Sequence, residues 1–320
     1  MPRDRFVGVD VGGTKILAAL VDEDGRIEAR RKTATPRGAK AKTVLRAAAR
    51  LVEDLLGERG LRPKGLRAVG VGVPGVVDPE EGRVLAAPNV ALGGVRVAKE
   101  LRRALKARVV AGNDVNLGIL GERWLGAARG RRDVVGLFPG TGVGGGVVAG
   151  GELLLGAHGA AAELGHLIVE PGGPLCGCGG RGCLEALASR TAIERELRRA
   201  VRAGRRSIVT ELAGGGLRVI KSKVLAKALR RKDPVATQAV RRAAQALGAA
   251  SVSLRHVFDP EVFVLGGGLI EACGDFIVPI VQRALDADPF FSRVGRCQAV
   301  TAQLADDAVV LGAVALARAS

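Results

Sequence analysis

Phe6-Val7-Gly8-Val9-Asp10-Val11-Gly12-Gly13-Thr14-Lys15-Ile16-Leu17-Ala18-Ala19-Leu20-Val21 is the stretch on which the reading of this chain turns. The apolar run at 6–10 predicts a buried strand, the paired glycines a turn, and 16–21 a second strand running back. Asp22 to Gly25 is turn sequence, and 26–35 is expected as a third strand. Glycine in such a turn lets backbone approach a phosphate closely and aim its N–H groups at it. The pattern restarts at 133–149, with strands expected over 133–138 and 146–149 around a glycine turn at 140–146. A third glycine run, Gly266-Gly267-Gly268, follows an apolar strand expected at 261–265. The repetition predicts a duplicated α/β unit with a cleft between its halves. The halves are expected at 1–112 and 113–306, with a C-terminal helix at 307–320 crossing back to complete the first.

Helices are expected at 43–58, 97–105 and 117–127, alternating with strands at 68–73 and 109–111. Asp233-Pro234 opens a long helix reaching about residue 256, with aspartate at the N-cap and proline in the first turn. Two stretches match the dinucleotide fingerprint G-x-G-x-x-G by letter, from Gly70 to Gly75 and from Gly140 to Gly145. That fingerprint needs a helix directly afterwards, and neither stretch is followed by one. The order Gly13-Thr14-Lys15 also differs from the Gly-Lys-Thr of a phosphate-binding P-loop.

At 320 residues the chain is long enough for two domains, and a hydrophobic content of 48% makes it globular. Seven Phe, one Trp and no Tyr leave no stacking surface for single-stranded nucleic acid. The net charge of +17 is spread over expected amphipathic helix faces such as 197–206 and 226–242, which reads as an arginine-rich surface. The longest uncharged stretch, 134–151, holds eight glycines and one proline, so no membrane-spanning helix is expected. Residues 1–5 carry charge and lead into a strand without the apolar core of a signal peptide. A cytoplasmic protein with no nucleic-acid or membrane partner is expected.

Three of the five cysteines are crowded together, in Cys176-Gly177-Cys178 and Cys183. With His166 they form a Cys3His set spread over 18 residues, the donor chemistry of a closed tetrahedral zinc site. Thiolates disfavour magnesium and calcium, and four protein ligands leave no open position for a reacting water, so structural zinc is expected. Cys273 and Cys297 fit no ligand spacing and are expected in the core.

Taken together, the chain resembles the kinase branch of the ROK family (repressors, open reading frames and kinases) of the actin-like ATPase and sugar kinase superfamily. The resemblance rests on the loop from Asp10 to Lys15, Pro88-Asn89, Asn113-Asp114-Val115-Asn116 and the loop from Gly140 to Gly145. It also rests on the block from Glu163 and His166 to Cys183 and Glu185, and on the late glycine triplet. It implies duplicated actin-like ATPase (ribonuclease H-like) α/β domains with an inter-domain cleft, and an ATP-dependent hexose kinase, with glucose the leading sugar. By resemblance Asp114 is the catalytic base, and Asn89, Asn113, Glu163, His166 and Glu185 are sugar ligands. Gly12, Gly13, Thr14 and Lys15, then Gly140, Thr141, Gly142, Val143 and Gly144, then Gly266, Gly267 and Gly268 are nucleotide-binding. ATP with Mg2+, structural Zn2+ on His166, Cys176, Cys178 and Cys183, and a homodimer or homotetramer complete what it implies.

One departure bears on the sugar. Many family members carry an aromatic residue shortly after Pro-Asn, whereas Val90-Ala91-Leu92 stands here. Kinases for an N-acetylhexosamine, mannose or fructose, and a glucokinase fed by polyphosphate, are the competing readings. A sugar-responsive regulator of the same family would carry a DNA-binding helical domain before the first loop, and the first strand is expected here already at residue 6.

Overall fold

The computed structural model describes residues 4–87, 90–217 and 219–320. It divides into two compact units, one of Met1–Gly130, Leu153–Ala161 and Asp306–Ser320, the other of Arg131–Glu152 and Ala162–Ala305. Both are α/β, as expected.

In the first unit β1 (Arg5–Val11), β2 (Lys15–Asp22) and β3 (Ile27–Ala34) form two successive antiparallel hairpins. Helix α1 (Ala41–Gly57) leads to β4 (Ala68–Val73), which lies parallel to β1. A small hairpin, β5 (Val76–Val77) with β6 (Val84–Ala86), precedes α2 (Val97–Leu105). Strand β7 (Val109–Asn113) completes the sheet in the order β3-β2-β1-β4-β7 and runs directly into α3 (Asp114–Leu125).

The sheet has two faces because successive side chains alternate. Val7, Val9, Val69 and Val71 face the core built with Val44, Ala48, Leu51, Leu55 and other buried residues of α1. Gly8 and Gly70 point the other way, toward the C-terminal helix Ala308–Ala319. A Cβ on Gly8 would stand 2.0 Å from the Val310 carbonyl oxygen, and one on Gly70 would stand 1.9 Å from that of Ala313. The helix's far side is equally close to α3, since a Cβ on Gly312 would lie 1.6 Å from the Leu117 oxygen and one on Gly121 would lie 2.2 Å from that of Ala308. Gly70, first letter of the false dinucleotide fingerprint, is thus a seat for a helix. Gly75, its last letter, has φ 96 and would put a Cβ 1.9 Å from the Ala86 oxygen. The same packing keeps α3 in the first unit, so the boundary expected after residue 112 falls instead after Gly130.

The second unit repeats the plan. Strands β8 (Val134–Pro139) and β9 (Val143–Ala149) are antiparallel, and β10 (Glu152–Leu153) flanks β9. After α4 (Leu184–Ala188), α5 (Arg190–Arg202), α6 (Val209–Leu212), α7 (Ser222–Arg230) and α8 (Pro234–Phe258) the chain returns to the sheet as β11 (Val262–Leu265). Helix α9 (Gly268–Asp286) and β12 (Gln298–Thr301) follow, giving the order β10-β9-β8-β11-β12 with β11 parallel to both neighbours. An antiparallel pair extended by two parallel strands is the arrangement of the first sheet too.

Three expectations are corrected here. The turn expected at 140–146 shrinks to Gly140–Gly142, because Gly144, Gly145 and Gly146 pair with Phe138, Leu137 and Gly136 as strand. The amphipathic run expected at 226–242 is two helices, broken where Lys232 turns left-handed at φ 56 and the Asp233 carboxylate caps Ala236 N–H at 2.7 Å. The helix expected at 197–206 starts earlier, because Ser189 accepts from Ala192 N–H at 3.0 Å and begins α5 at Arg190. No helix among the described residues is long and apolar enough to cross a membrane.

Candidate active site

In the first unit the glycine turn is tight. Gly12 N–H donates to the Lys15 carbonyl at 3.0 Å, and the Thr35 hydroxyl donates to the Gly12 carbonyl at 2.7 Å. Gly12 and Gly13 thus stand with Thr14 and Lys15 at the corner between β1 and β2, while the Lys15 ammonium pairs with Asp306 at 2.6 Å. Asp10 lies at the end of β1. Its carboxyl is pushed up to about 7, first by burial and then by the negative charge of Asp114, against the pull of Lys15. No described residue hydrogen-bonds to it.

Asp114 is the first residue of α3. The N-cap is its neighbour: the Asn113 side-chain oxygen accepts from Asn116 N–H at 2.9 Å while its amide nitrogen donates to the Gly75 carbonyl at 2.9 Å. Capping therefore falls to Asn113, and Asp114 occupies a position where a helix favours a negative charge. Asn113, expected as a sugar ligand, keeps only one amide hydrogen for that task. Asn89 lies outside the described residues.

The sequence motif includes Asp10 in the first loop without assigning it a role of its own. Its signal was legible in the sequence only as an acid at the end of an apolar strand. A testable consequence follows from its titration. Between the ordinary carboxyl value of 3.8 and about 7, the unfolded chain has released this proton while the fold retains it. The group's contribution to stability therefore falls as pH rises through that window and is flat above it. Asp10→Asn is expected to stabilise the fold, with a gain that grows by about 2–3 kcal/mol between pH 5 and pH 8. Denaturant unfolding at the two pH values measures it, and a gain independent of pH would contradict this assignment.

In the second unit the loop Gly140–Gly142 closes on itself, Gly140 N–H donating to the Gly142 carbonyl at 2.8 Å. Val143 N–H donates to Glu185 at 3.1 Å, and a Cβ on Gly142 would strike the same carboxylate at 2.2 Å. Glycine at 142 is what admits Glu185. Close approach also fixes the turn bearing Glu163 and His166. A Cβ on Gly145 would meet Leu164 at 2.4 Å and one on Gly165 would meet the Val143 oxygen at 2.0 Å, so this turn lies flush on β9. Ala162, left-handed at φ 63, redirects the chain just before Glu163, whose side chain is exposed. Gly266 and Gly267 differ from the other loops in leading into a helix, α9, which starts at Gly268. An N-terminus of this kind presents backbone N–H groups to anions.

The four expected metal ligands come together. One donor atom each from His166, Cys176, Cys178 and Cys183 lies within 4.8 Å of the others. His166 Nδ1 stands 3.7 Å from Cys176 Sγ, so the ring turns this nitrogen to the thiols and leaves Nε2 for another partner. Burial pushes the Cys176 thiol up to about 12, and gathering thiolates there calls for a dication to balance them. A set of three thiols and one imidazole gathered this closely fits four-coordinate zinc and would leave no ligand position open. Glu185 Oε1 lies 3.7 Å from Cys176 Sγ, which places one carboxylate between the Cys3His cluster and the glycine loop. Cys273 and Cys297 are buried in the core, as expected.

A duplicated strand–turn–strand frame with glycine loops, an aspartate at a strand-to-helix junction and a Cys3His cluster beside a carboxylate defines an actin-like ATPase-fold protein of the sugar kinase type. The chain belongs to the ROK family, whose model matches residues 6–320. It is 40% identical over 320 residues to the glucokinase of Thermotoga maritima, covering 99% of this chain and 98% of that one. Among solved structures it is similar to a ROK family glucokinase from Streptomyces griseus in complex with glucose and AMPPNP. The TM-score there is 0.84 with 35% identity, covering 99% of this chain and 100% of the other. The ROK hexokinase from Thermus thermophilus gives a TM-score of 0.81 at 34% identity, covering 98% of each chain.

Proposed function

We propose that this chain is an ATP-dependent hexose kinase that converts glucose to glucose 6-phosphate. The observation that carries the reading is the division of labour at β7 and α3: Asn113 takes the cap, and Asp114 stands beside it as the first residue of the helix. Asp114 accepts the proton of the attacking hydroxyl as its oxygen bonds to the terminal phosphorus of ATP and ADP departs. Phosphoryl transfer asks a protein chiefly for position and charge balance, so one aspartate, oriented donors and backbone N–H groups suffice. Gly12–Lys15, Gly140–Gly144 and Gly266–Gly268 hold the nucleotide in this reading. Glu163, Glu185, His166 through Nε2, Asn89 and the remaining amide hydrogen of Asn113 hold the sugar hydroxyls. Magnesium bound with the phosphates would supply charge neutralisation there. Asp10, short of hydrogen bonds and titrating near neutrality, is the carboxylate this chain offers to it. His166, Cys176, Cys178 and Cys183 would hold zinc, which would keep the sugar-binding block in shape and fix the His166 tautomer. The enzyme acts in the cytoplasm at the entry to sugar catabolism, as a homodimer or homotetramer.

Glucose with ATP is expected to give the highest specificity constant in a coupled assay over a panel of hexoses and donors. A higher value for an N-acetylated hexosamine would replace glucose and direct attention to the segment after Asn89, since hydroxyl-binding groups left unpaired by the wrong sugar are what discriminate. Turnover with polyphosphate that equals ATP at low salt and falls away as salt rises would add a second donor, because steering of a long polyanion is screened.

A further inference from the structure

Arg190, the first residue of α5, grips the Gly140–Gly142 loop at several points. Its backbone N–H donates to the Gly140 carbonyl at 2.8 Å, and its guanidinium Nη2 donates to the Thr141 hydroxyl at 2.9 Å. The next residue adds a third tie, the Thr191 hydroxyl donating to the Thr141 carbonyl at 2.7 Å. The guanidinium is itself held. Its Nη1 pairs with Glu194, a carboxylate with 7% of its surface exposed, while the Arg190 side chain retains 19%. Ser189 caps the helix that carries the arginine. Thus the fork is anchored at one end in a buried ion pair and presented at the other to a single hydroxyl.

The chemistry of that contact has a direction. Arginine offers only donors, so the Thr141 oxygen must accept from it. The hydroxyl's own hydrogen is then directed away from Arg190, and the adjacent positive charge makes it a better donor. Among the described residues no protein group accepts from the Thr141 or Gly142 backbone N–H either. Three donors on two successive residues are therefore left without a protein acceptor among the described residues, in a loop whose carbonyls at 140, 141 and 142 are all occupied by N–H or O–H groups of the protein. We infer that Arg190 is a positioning residue for the donor nucleotide: it orients the Thr141 hydroxyl as a hydrogen-bond donor to a phosphate oxygen and sets the polarity of the whole loop toward anions. This rests on the kinase reading above and extends it to a residue that no glycine motif contains.

The test is a double-mutant cycle read by calorimetry, with Mg2+–AMPPNP and glucose titrated separately into the full chain. Arg190→Met is expected to weaken AMPPNP binding about tenfold, the loss of one charge-assisted hydrogen bond, and to leave glucose binding within about twofold. Thr141→Val is expected to match it, and the double variant to be no weaker than Thr141→Val alone, because the arginine acts through the hydroxyl. Arg190→Lys, which keeps a cation for Glu194 but loses the fork, is expected to fall between parent and Arg190→Met. Steady-state kinetics are expected to show a raised KM for ATP with the KM for glucose unmoved. Unchanged AMPPNP affinity in Arg190→Met, or losses that add in the cycle, would overturn the inference. So would a joint weakening of both ligands with a lowered Tm, which marks mere damage to α5. If the parent chain binds glucose but no AMPPNP, the kinase reading and the inference fall together, whereas equal binding by parent and Arg190→Met sinks the inference alone.

Discussion

Asp114→Asn is expected to bind glucose within about an order of magnitude of the parent while turnover falls by roughly 10²–10⁴, the range for loss of a general base. The amide keeps the size of the carboxylate and hydrogen-bonds a sugar hydroxyl, but it cannot take up the hydroxyl's proton. The structure sharpens the expectation, because Asn113 caps α3 through Asn116 N–H, and asparagine at 114 keeps the side-chain oxygen that accepts from Val115 N–H at 2.9 Å. The substitution therefore separates chemistry from folding better than most changes at a helix start. Calorimetric glucose binding beside a coupled kinase assay measures both quantities. Turnover within a few-fold of the parent would mean that another group takes the proton and that the proposed site is wrong. A parent chain that binds glucose but never phosphorylates it would instead mark a sugar sensor on the same fold.

Loss of the metal cluster is expected to be as damaging, by a different route. Purified without added metal, the protein is expected to carry one zinc per chain on His166, Cys176, Cys178 and Cys183. Structural zinc contributes folding energy directly, since the ligand set does not exist in the unfolded chain. Cys183→Ser is expected to abolish the zinc and reduce turnover by at least ~100-fold, beyond what disturbing a supporting partner costs. The reason lies in Glu185, two residues on, which accepts from Val143 N–H at 3.1 Å and is 3.7 Å from Cys176 Sγ. When the ligand loop unravels, a proposed sugar ligand and the brace of the glycine loop go with it. Cys273→Ser, at a buried cysteine outside the cluster, is expected to retain full zinc and serves as the control. Elemental analysis, with limited proteolysis between residues 167 and 181, reads the result. Active enzyme holding less than a tenth of an equivalent of zinc would refute the assignment.

Much of this was legible in the chain because short-range chemistry leaves short-range patterns. Alternating apolar runs around Gly12-Gly13 and Gly140 mark strand–turn–strand units, since strands and tight turns are set by neighbours within a few residues. Cys176, Cys178 and Cys183 with His166 stand out as a candidate metal site because donor type and spacing are local, and the fold brings the four together. Asp233-Pro234 announces a helix start through local capping alone. The tertiary structure decided what depends on contacts between segments far apart in sequence. Gly8 and Gly70 fall in expected strands with no local reason to be glycine until a helix from residues 308–319 is laid against them, and the same helix draws α3 into the first unit. Asp10 becomes a group titrating near neutrality only because folding buries it beside Asp114, more than a hundred residues away. Arg190 reads as one more surface arginine in a chain with 49 basic residues, and acquires its meaning where the start of α5 meets the Thr141 hydroxyl. Backbone conformation and ligand chemistry are written locally, whereas close packing, desolvation and the direction of a hydrogen bond exist only once the distant partner is in place.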